Sequence, residues 1–323
     1  MPDGLAAAVE HGIGETRALV VDGGTIVEAH VERDADAGWR AGDVRRVRLA
    51  AILVPGVRAI VAADEVEAVL SPVPAGLTEG AMLAVEVRRE ALPEAGRPRL
   101  AKVTATDAME RRAPPLADRL RARGLAVAAA DLDPLGWAET VDAALNGHVP
   151  FPGGLLTISP TPAMTVIDVD GDAAPADLAR GAAVAAAAAI RRFDIGGSIG
   201  IDFPTVADRA VRGELAGLLD AHLPPPFERT AVNGFGFVQI VRPRLRPSFI
   251  EAVRDAVPTA ALALVRQAER GVGGATLVAA PRVIAWLAAR PALIAALTRR
   301  RGGGIALRGD PAVAMSAAYV APP

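Results

Sequence analysis

The sequence predicts an α/β fold with a small β-barrel embedded near its N-terminal end. Two patterns and the composition predict it. Short β-rich runs separated by Gly and Pro turns crowd residues 44–106, and regular strand spacing of this kind reads as a small barrel. A strand, a long helix and a second strand follow one another over residues 164–203, a βαβ unit whose strands must run parallel. Hydrophobic residues make up 51% of the 323 and charged residues 22%, so the chain can bury a core and is not disordered. Aromatics are only 3%, which leaves Ala, Val, Leu and Ile to fill that core. The length allows about two or three domains.

In chain order, residues 16–21 and 25–31 flank Asp22-Gly23-Gly24, a strong hairpin signal. Residues 34–42 are a polar loop. The barrel strands are expected at 44–49, 59–62, 67–70 and 83–87, broken by Pro55-Gly56, residues 72–76 and Glu79-Gly80. Residues 90–98 form a Pro/Gly loop. Residues 116–123 read as a helix ended by Gly124, 125–130 as a strand, and 137–145 as a helix stopped by Asn146-Gly147. Residues 164–170 are a strand, and Pro175 opens a helix running to about Arg192. Residues 198–203 are a strand, 208–221 a helix and 235–241 a Gly-containing strand. After Ser248 come a helix, a strand (275–279), a helix (283–290) and a last strand near 313–320.

Composition excludes several chemistries. The chain has no Cys, so disulfides, thiol nucleophiles and Cys-ligated metal sites are ruled out. A net charge of −2 rules out a globally basic nucleic-acid binder but permits a local basic groove. Lys102 is the only lysine; every other basic residue is arginine, whose planar fork suits phosphate. The N-terminal residues lack a basic, apolar leader pattern, and the longest apolar run, 182–190, is too short to span a membrane. A soluble cytoplasmic protein with no membrane partner is the expectation.

The chemistry concentrates in the βαβ unit. Alternate strand residues share a face, so Asp168 and Asp170 point one way, and Asp202 lies with Gly200 and Ser198. Both sets end strands joined by one crossover, the edge where open α/β sheets place ligands. Three converging carboxylates repel one another and lose hydration unless a cation neutralises them. Mg²⁺ fits such a hard, oxygen-lined site. The competing reading makes Asp170-Gly171-Asp172 a turn with Asp172 capping the helix. A calcium loop fails, because Ala173 and Ala179 stand where its Gly and Glu belong. Arg242, Arg244 and Arg246 have period-2 spacing, for phosphate contact near the metal or for a solvated edge. Residues 299–301 read as a helix C-terminus. His11, His30, His148 and His222 are scattered, and Ser159 and Ser198 lack a nucleophile context.

Residues 165–170 and 192–203 resemble the catalytic core of the ribonuclease E/G endoribonucleases. Residues 235–242 resemble the strand that follows it there, 17–33 the N-terminal hairpin, and 44–106 the OB-type RNA-binding barrel. The resemblance implies an RNase H-like part (1–38 and 107–150) interrupted by the barrel (39–106). A deoxyribonuclease-I-like catalytic core (151–255) and a small C-terminal α/β domain (256–323) would follow. It implies Mg²⁺-dependent hydrolysis of single-stranded RNA, with Asp168 and Asp202 as the two metal-binding aspartates. Asp170 stands where that family has asparagine and would serve as third ligand or water-orienting base. Arg242, Arg244, Arg99 and Lys102 are the expected RNA contacts. Three departures are visible. Only residues 107–115 occupy the place of the insert that senses a 5′-monophosphate. The zinc-binding cysteine pair is missing, so any oligomer is not zinc-linked. Ile60 and Val69 replace base-stacking aromatics on the barrel, which forfeits about 1–3 kcal/mol per base. The alternatives are a non-catalytic RNA- or ribosome-associated protein that kept the fold, and a metal-dependent hydrolase of a small phosphorylated ligand.

Overall fold

The computed structural model describes residues 4–34, 38–93 and 99–323. Strands β1 (Ala6–Gly12), β2 (Glu15–Asp22) and β3 (Thr25–Arg33) run antiparallel in turn. Gly23 and Gly24 both take positive φ, as a two-residue hairpin turn requires. The sequence reading missed β1. Its Ala6-Ala7-Ala8 start carries no strand preference, and pairing on both sides makes it a strand.

The barrel follows: β4 (Val44–Val54), β5 (Arg58–Ala63), β6 (Val66–Leu70), β7 (Met82–Arg89) and β8 (Ala101–Ala105). It closes in the order β4-β5-β6-β8-β7, with β6 and β8 parallel and β7 returning to β4. Alternation fills its interior with Val47, Leu49, Ala59, Val61, Ala68, Leu70, Val85, Val87 and Val103, and Trp39 packs against them.

Beyond the barrel, α1 (Leu116–Ala122) leads to β9 (Ala126–Ala129), which pairs parallel with β1 and completes a sheet ordered β3-β2-β1-β9. The barrel is thus an insertion within this first sheet. Helix α2 (Trp137–Asn146) ends at Gly147 in the left-handed conformation. Then come β10 (His148–Phe151), β11 (Gly154–Pro160), β12 (Thr165–Gly171), α3 (Pro175–Arg192), β13 (Gly197–Asp202), α4 (Arg209–His222), β14 (Glu228–Arg229) and β15 (Phe237–Arg242). Their sheet runs β10-β11-β12-β13-β15-β14, and β12–β13 is its parallel pair. The chain ends with α5 (Phe249–Val253), α6 (Ala256–Glu269), β16 (Ala275–Ala279), α7 (Pro281–Ala288), α8 (Pro291–Arg301), β17 (Ile305–Gly309) and β18 (Tyr319–Ala321). A three-stranded sheet β17-β16-β18 and its helices enclose a separate apolar cluster. Among the described residues the protein is mixed α/β with eight α-helices and a closed five-stranded barrel.

Two expected features fall elsewhere. The residue before α3 is Ala174, so Asp172 is not the cap. The expected boundary near residue 150 cuts β10, and one core crosses it: Leu19, Val21 and Ala29 of the first sheet join Leu156, Ile167 and Ile199 of the second. Helix α3 lies between the two sheets and touches both. Its alanines 179, 182, 183, 186, 187 and 189 are buried. No single described helix is long and apolar enough to cross a membrane.

A buried charge cluster fastens this junction. Glu28 of β3 accepts two 2.7 Å bonds from Arg123 and lies 3.3 Å from Arg191 at the end of α3 and 3.1 Å from His30. Burial pushes its carboxyl up. Hydrogen bonds and charge from His30 and Arg123 outweigh burial and hold it well below the usual carboxylate range. A depressed folded-state pKa stabilises above the unfolded value, here 4.5, and that stability fades as pH falls below it. Glu28→Gln is expected to cost about 2–3 kcal/mol at pH 7, because it strands partly buried guanidinium groups. In urea titrations the gap to wild type should close by about 1.4 kcal/mol per pH unit below about 4.5. A gap that stays constant down to pH 3 would contradict this role for Glu28.

Candidate metal and RNA site

The six-stranded sheet is covered on one face. Leu156, Ile158, Ile167, Val169, Ile199, Ile201, Val238 and Ile240 are buried on that side, where α3 and α4 pack. Strand alternation sends the residues between them to the opposite face, which stays open. There Asp168 and Asp202 are backbone partners across the parallel pair, and both are exposed. The register extends the row in both directions: Thr157 lies opposite Asp168, and Phe237 opposite Asp202. Adjacent strands are about 4.8 Å apart, so the two carboxylates can share one small ligand.

Asp170 is on the same face, one pleat repeat further and roughly 7 Å along β12. Its partner is Leu155 of β11, since β13 has already ended at Asp202. The structure therefore brings two carboxylates together and leaves the third at their side. Among the described residues no three acidic or histidine side chains gather as a metal-holding group. All three aspartates are exposed, so the desolvation cost expected from the sequence does not arise. Two such charges about 5 Å apart in water repel by on the order of 1 kcal/mol. Among the described residues none of the three accepts a side-chain hydrogen bond or pairs with an arginine.

The arginines predicted near this pair lie elsewhere. Arg242 partners Gly197 at the far end of β13, and alternation with Val238 and Ile240 turns it to the covered face. It donates to the Ile195 carbonyl at 3.1 Å, and burial lowers its pKa against the opposing pull of Asp194 and Glu28. Arg244 and Arg246 follow Pro243, where the strand has ended, so the three do not share a strand face. Arg244 is held by Glu251 at 2.6 Å, and Arg246 is 3.9 Å from Asp194. Contact of Arg242 and Arg244 with a phosphate at Asp168 and Asp202 is therefore corrected. A strand of six residues separates them from the pair, and Arg242 faces the other way. Lys102 is exposed on the barrel next to Val69, which in turn partners Ile60. Arg99 is exposed and bridges to Leu92 at the barrel's edge.

The chain matches no family model and no curated protein sequence. Function must come from the site itself. Cavities of about 450 and 710 Å³ lie apart from the aspartates, one lined by Trp39, Glu90 and Arg246 and the other by Trp137 and α6. The aspartates instead stand on an open face, which can receive the middle of a long polymer. Sequence reading missed Phe237 and Gln239, which share this face. The antiparallel register of β13 with β15 puts them there, and that register is a tertiary fact.

Proposed function

We propose that this protein is a Mg²⁺-dependent endoribonuclease of the ribonuclease E/G type, acting on single-stranded RNA. The observation that carries the reading is the in-register pair Asp168 and Asp202 at the end of a parallel βαβ unit, on a bare sheet face. The architecture supports it. A sheet of three antiparallel strands and one parallel strand suits the RNase H-like part. The barrel order β4-β5-β6-β8-β7 suits an OB-type module inserted in it. The six-stranded sheet suits the catalytic core.

The donor set fits the ion. Mg²⁺ is commonly held by one or two carboxylates with water and substrate phosphate completing the shell, and two unpaired, exposed carboxylates supply that. Asp168 and Asp202 would hold it. A bound Mg²⁺ supplies a water of lowered pKa and neutralises charge on the phosphoryl oxygens. Asp170, beside the pair, can accept a proton from an attacking water. The rigid sheet fixes the spacing of all three carboxylates, which matters because positioning is a large part of catalysis. The open face favours a polymer over a small phosphorylated ligand, for which an enclosing pocket is the usual solution.

The test is cleavage of an unstructured RNA with Mg²⁺ and with EDTA. Internal cleavage with Mg²⁺ alone is expected, and no cleavage in either condition would remove the enzymatic reading. The nine residues 107–115 leave no room for a 5′-sensing insert. Initial rates on 5′-phosphorylated and 5′-hydroxyl forms of one RNA should therefore agree within a few fold. A tenfold preference, about 1.4 kcal/mol, would contradict this.

A further inference from the structure

Phe237 is the neighbour of Asp202 in the row across the open face. Its ring reaches over Gly200, where a Cβ would come within 2.6 Å of Phe237 Cζ and 3.0 Å of Met164 Sδ. Glycine at 200 thus makes the seat for an aromatic ring beside the carboxylates. Two residues earlier, Phe235 is 82% exposed. The turn that presents it is pinned. Asn233 Oδ1 accepts from the backbone N–H of both Phe235 (2.9 Å) and Phe237 (3.0 Å). Gly236, at φ +92°, approaches so closely that a Cβ there would meet the Phe203 carbonyl at 2.3 Å. Phe203 directly follows Asp202. A rigid turn therefore holds one ring in water and one on the sheet, both next to the candidate metal site. The whole chain has seven Phe, and two of them are here. Gln239 lies on the same face, and its side-chain amide bonds to no described protein group.

On the reading of this face as an RNA-cleaving site, we infer that Phe235 and Phe237 are a stacking platform for unpaired nucleobases flanking the phosphate that a Mg²⁺ carried by Asp168 and Asp202 would engage. Aromatic faces accept any base and hold single strands largely without regard to sequence. A base already paired and stacked in a duplex has no free face to give. The platform supplies at the carboxylates the stacking that Ile60 and Val69 cannot supply on the barrel, and Gln239 offers an amide to a base edge.

The test measures binding apart from cleavage. A fluorescein-labelled ten-nucleotide RNA is titrated in EDTA with wild type, Phe235→Ala and Phe237→Leu, followed by anisotropy. Phe235→Ala removes an exposed ring and keeps the fold; Phe237→Leu keeps an apolar group over Gly200. Each is expected to weaken binding about tenfold. In a series of RNAs with one abasic position, at least one position should weaken wild type about tenfold and leave Phe235→Ala unchanged. Wild-type affinity in both variants would overturn the platform, while Mg²⁺-dependent cleavage by the same preparations would leave the catalytic reading standing. A wild type that neither binds nor cleaves RNA would overturn both. If light scattering shows wild type self-associating and Phe235→Ala not, the ring packs on a second copy of the chain and the platform is overturned.

Discussion

Asp168→Asn combined with Asp202→Asn is expected to abolish Mg²⁺ binding and lower the RNA cleavage rate by at least about 10³-fold, the scale of losing a principal source of transition-state charge stabilisation. The fold should survive. Both side chains are exposed, neither is hydrogen-bonded to a described side chain, and asparagine keeps their volume. Removing both charges of a like-charged pair relieves their repulsion and is slightly stabilising. Isothermal titration with Mg²⁺ and a circular-dichroism melt separate the two effects. Unchanged Mg²⁺ binding in a folded double variant would sink the assignment of the site.

Asp170→Asn addresses whether the site turns over. It exchanges a carboxylate for an amide of nearly equal volume, one pleat along from the metal pair. If Asp170 accepts the proton of the attacking water, the rate should fall by about 10²-fold, with Mg²⁺ affinity almost unchanged because Asp168 and Asp202 remain. If the protein is instead a binder that lost turnover, removing this negative charge from the path of the phosphate should create or raise activity. We expect the fall. A silent wild type beside an active Asp170→Asn would decide for the binder.

What was legible in the sequence follows from the range of the forces involved. Hairpin turns, helix starts at Pro175 and Asp208, and the alternation that puts Asp168 and Asp202 on definable faces are local. The parallel pairing of β12 and β13 follows from a handed crossover, so the meeting of these two aspartates could be read before any coordinates. Strands β1, β8, β10, β11, β14 and β17 were missed. In β1 small residues give no period of their own, and partners on both sides supply the strand. The arginines failed for a different reason. Spacing alone ran the period past Pro243, which lacks the N–H to continue a ladder. It also said nothing of the register that turns Arg242 to the covered face. Phe237 was hidden by the same register, though the glycines at 200 and 236 were a signal, since each marks a place where something else comes close.

The alanine-built α3 has a thermodynamic consequence. Ordering a Leu or Ile in a core costs about 0.5–1 kcal/mol of rotamer entropy, whereas Ala costs none. The six buried alanines of α3 therefore freeze no side-chain freedom when the sheets and α4 close on the helix. They also bury less apolar area than larger residues would. This seam depends on backbones approaching closely, and it has no rotamers with which to absorb an added methyl group. A Val or Leu substituted at the fully buried Ala183 would have to push α3 away from what packs on it, so the middle of the molecule tolerates change in volume less than its modest side chains suggest.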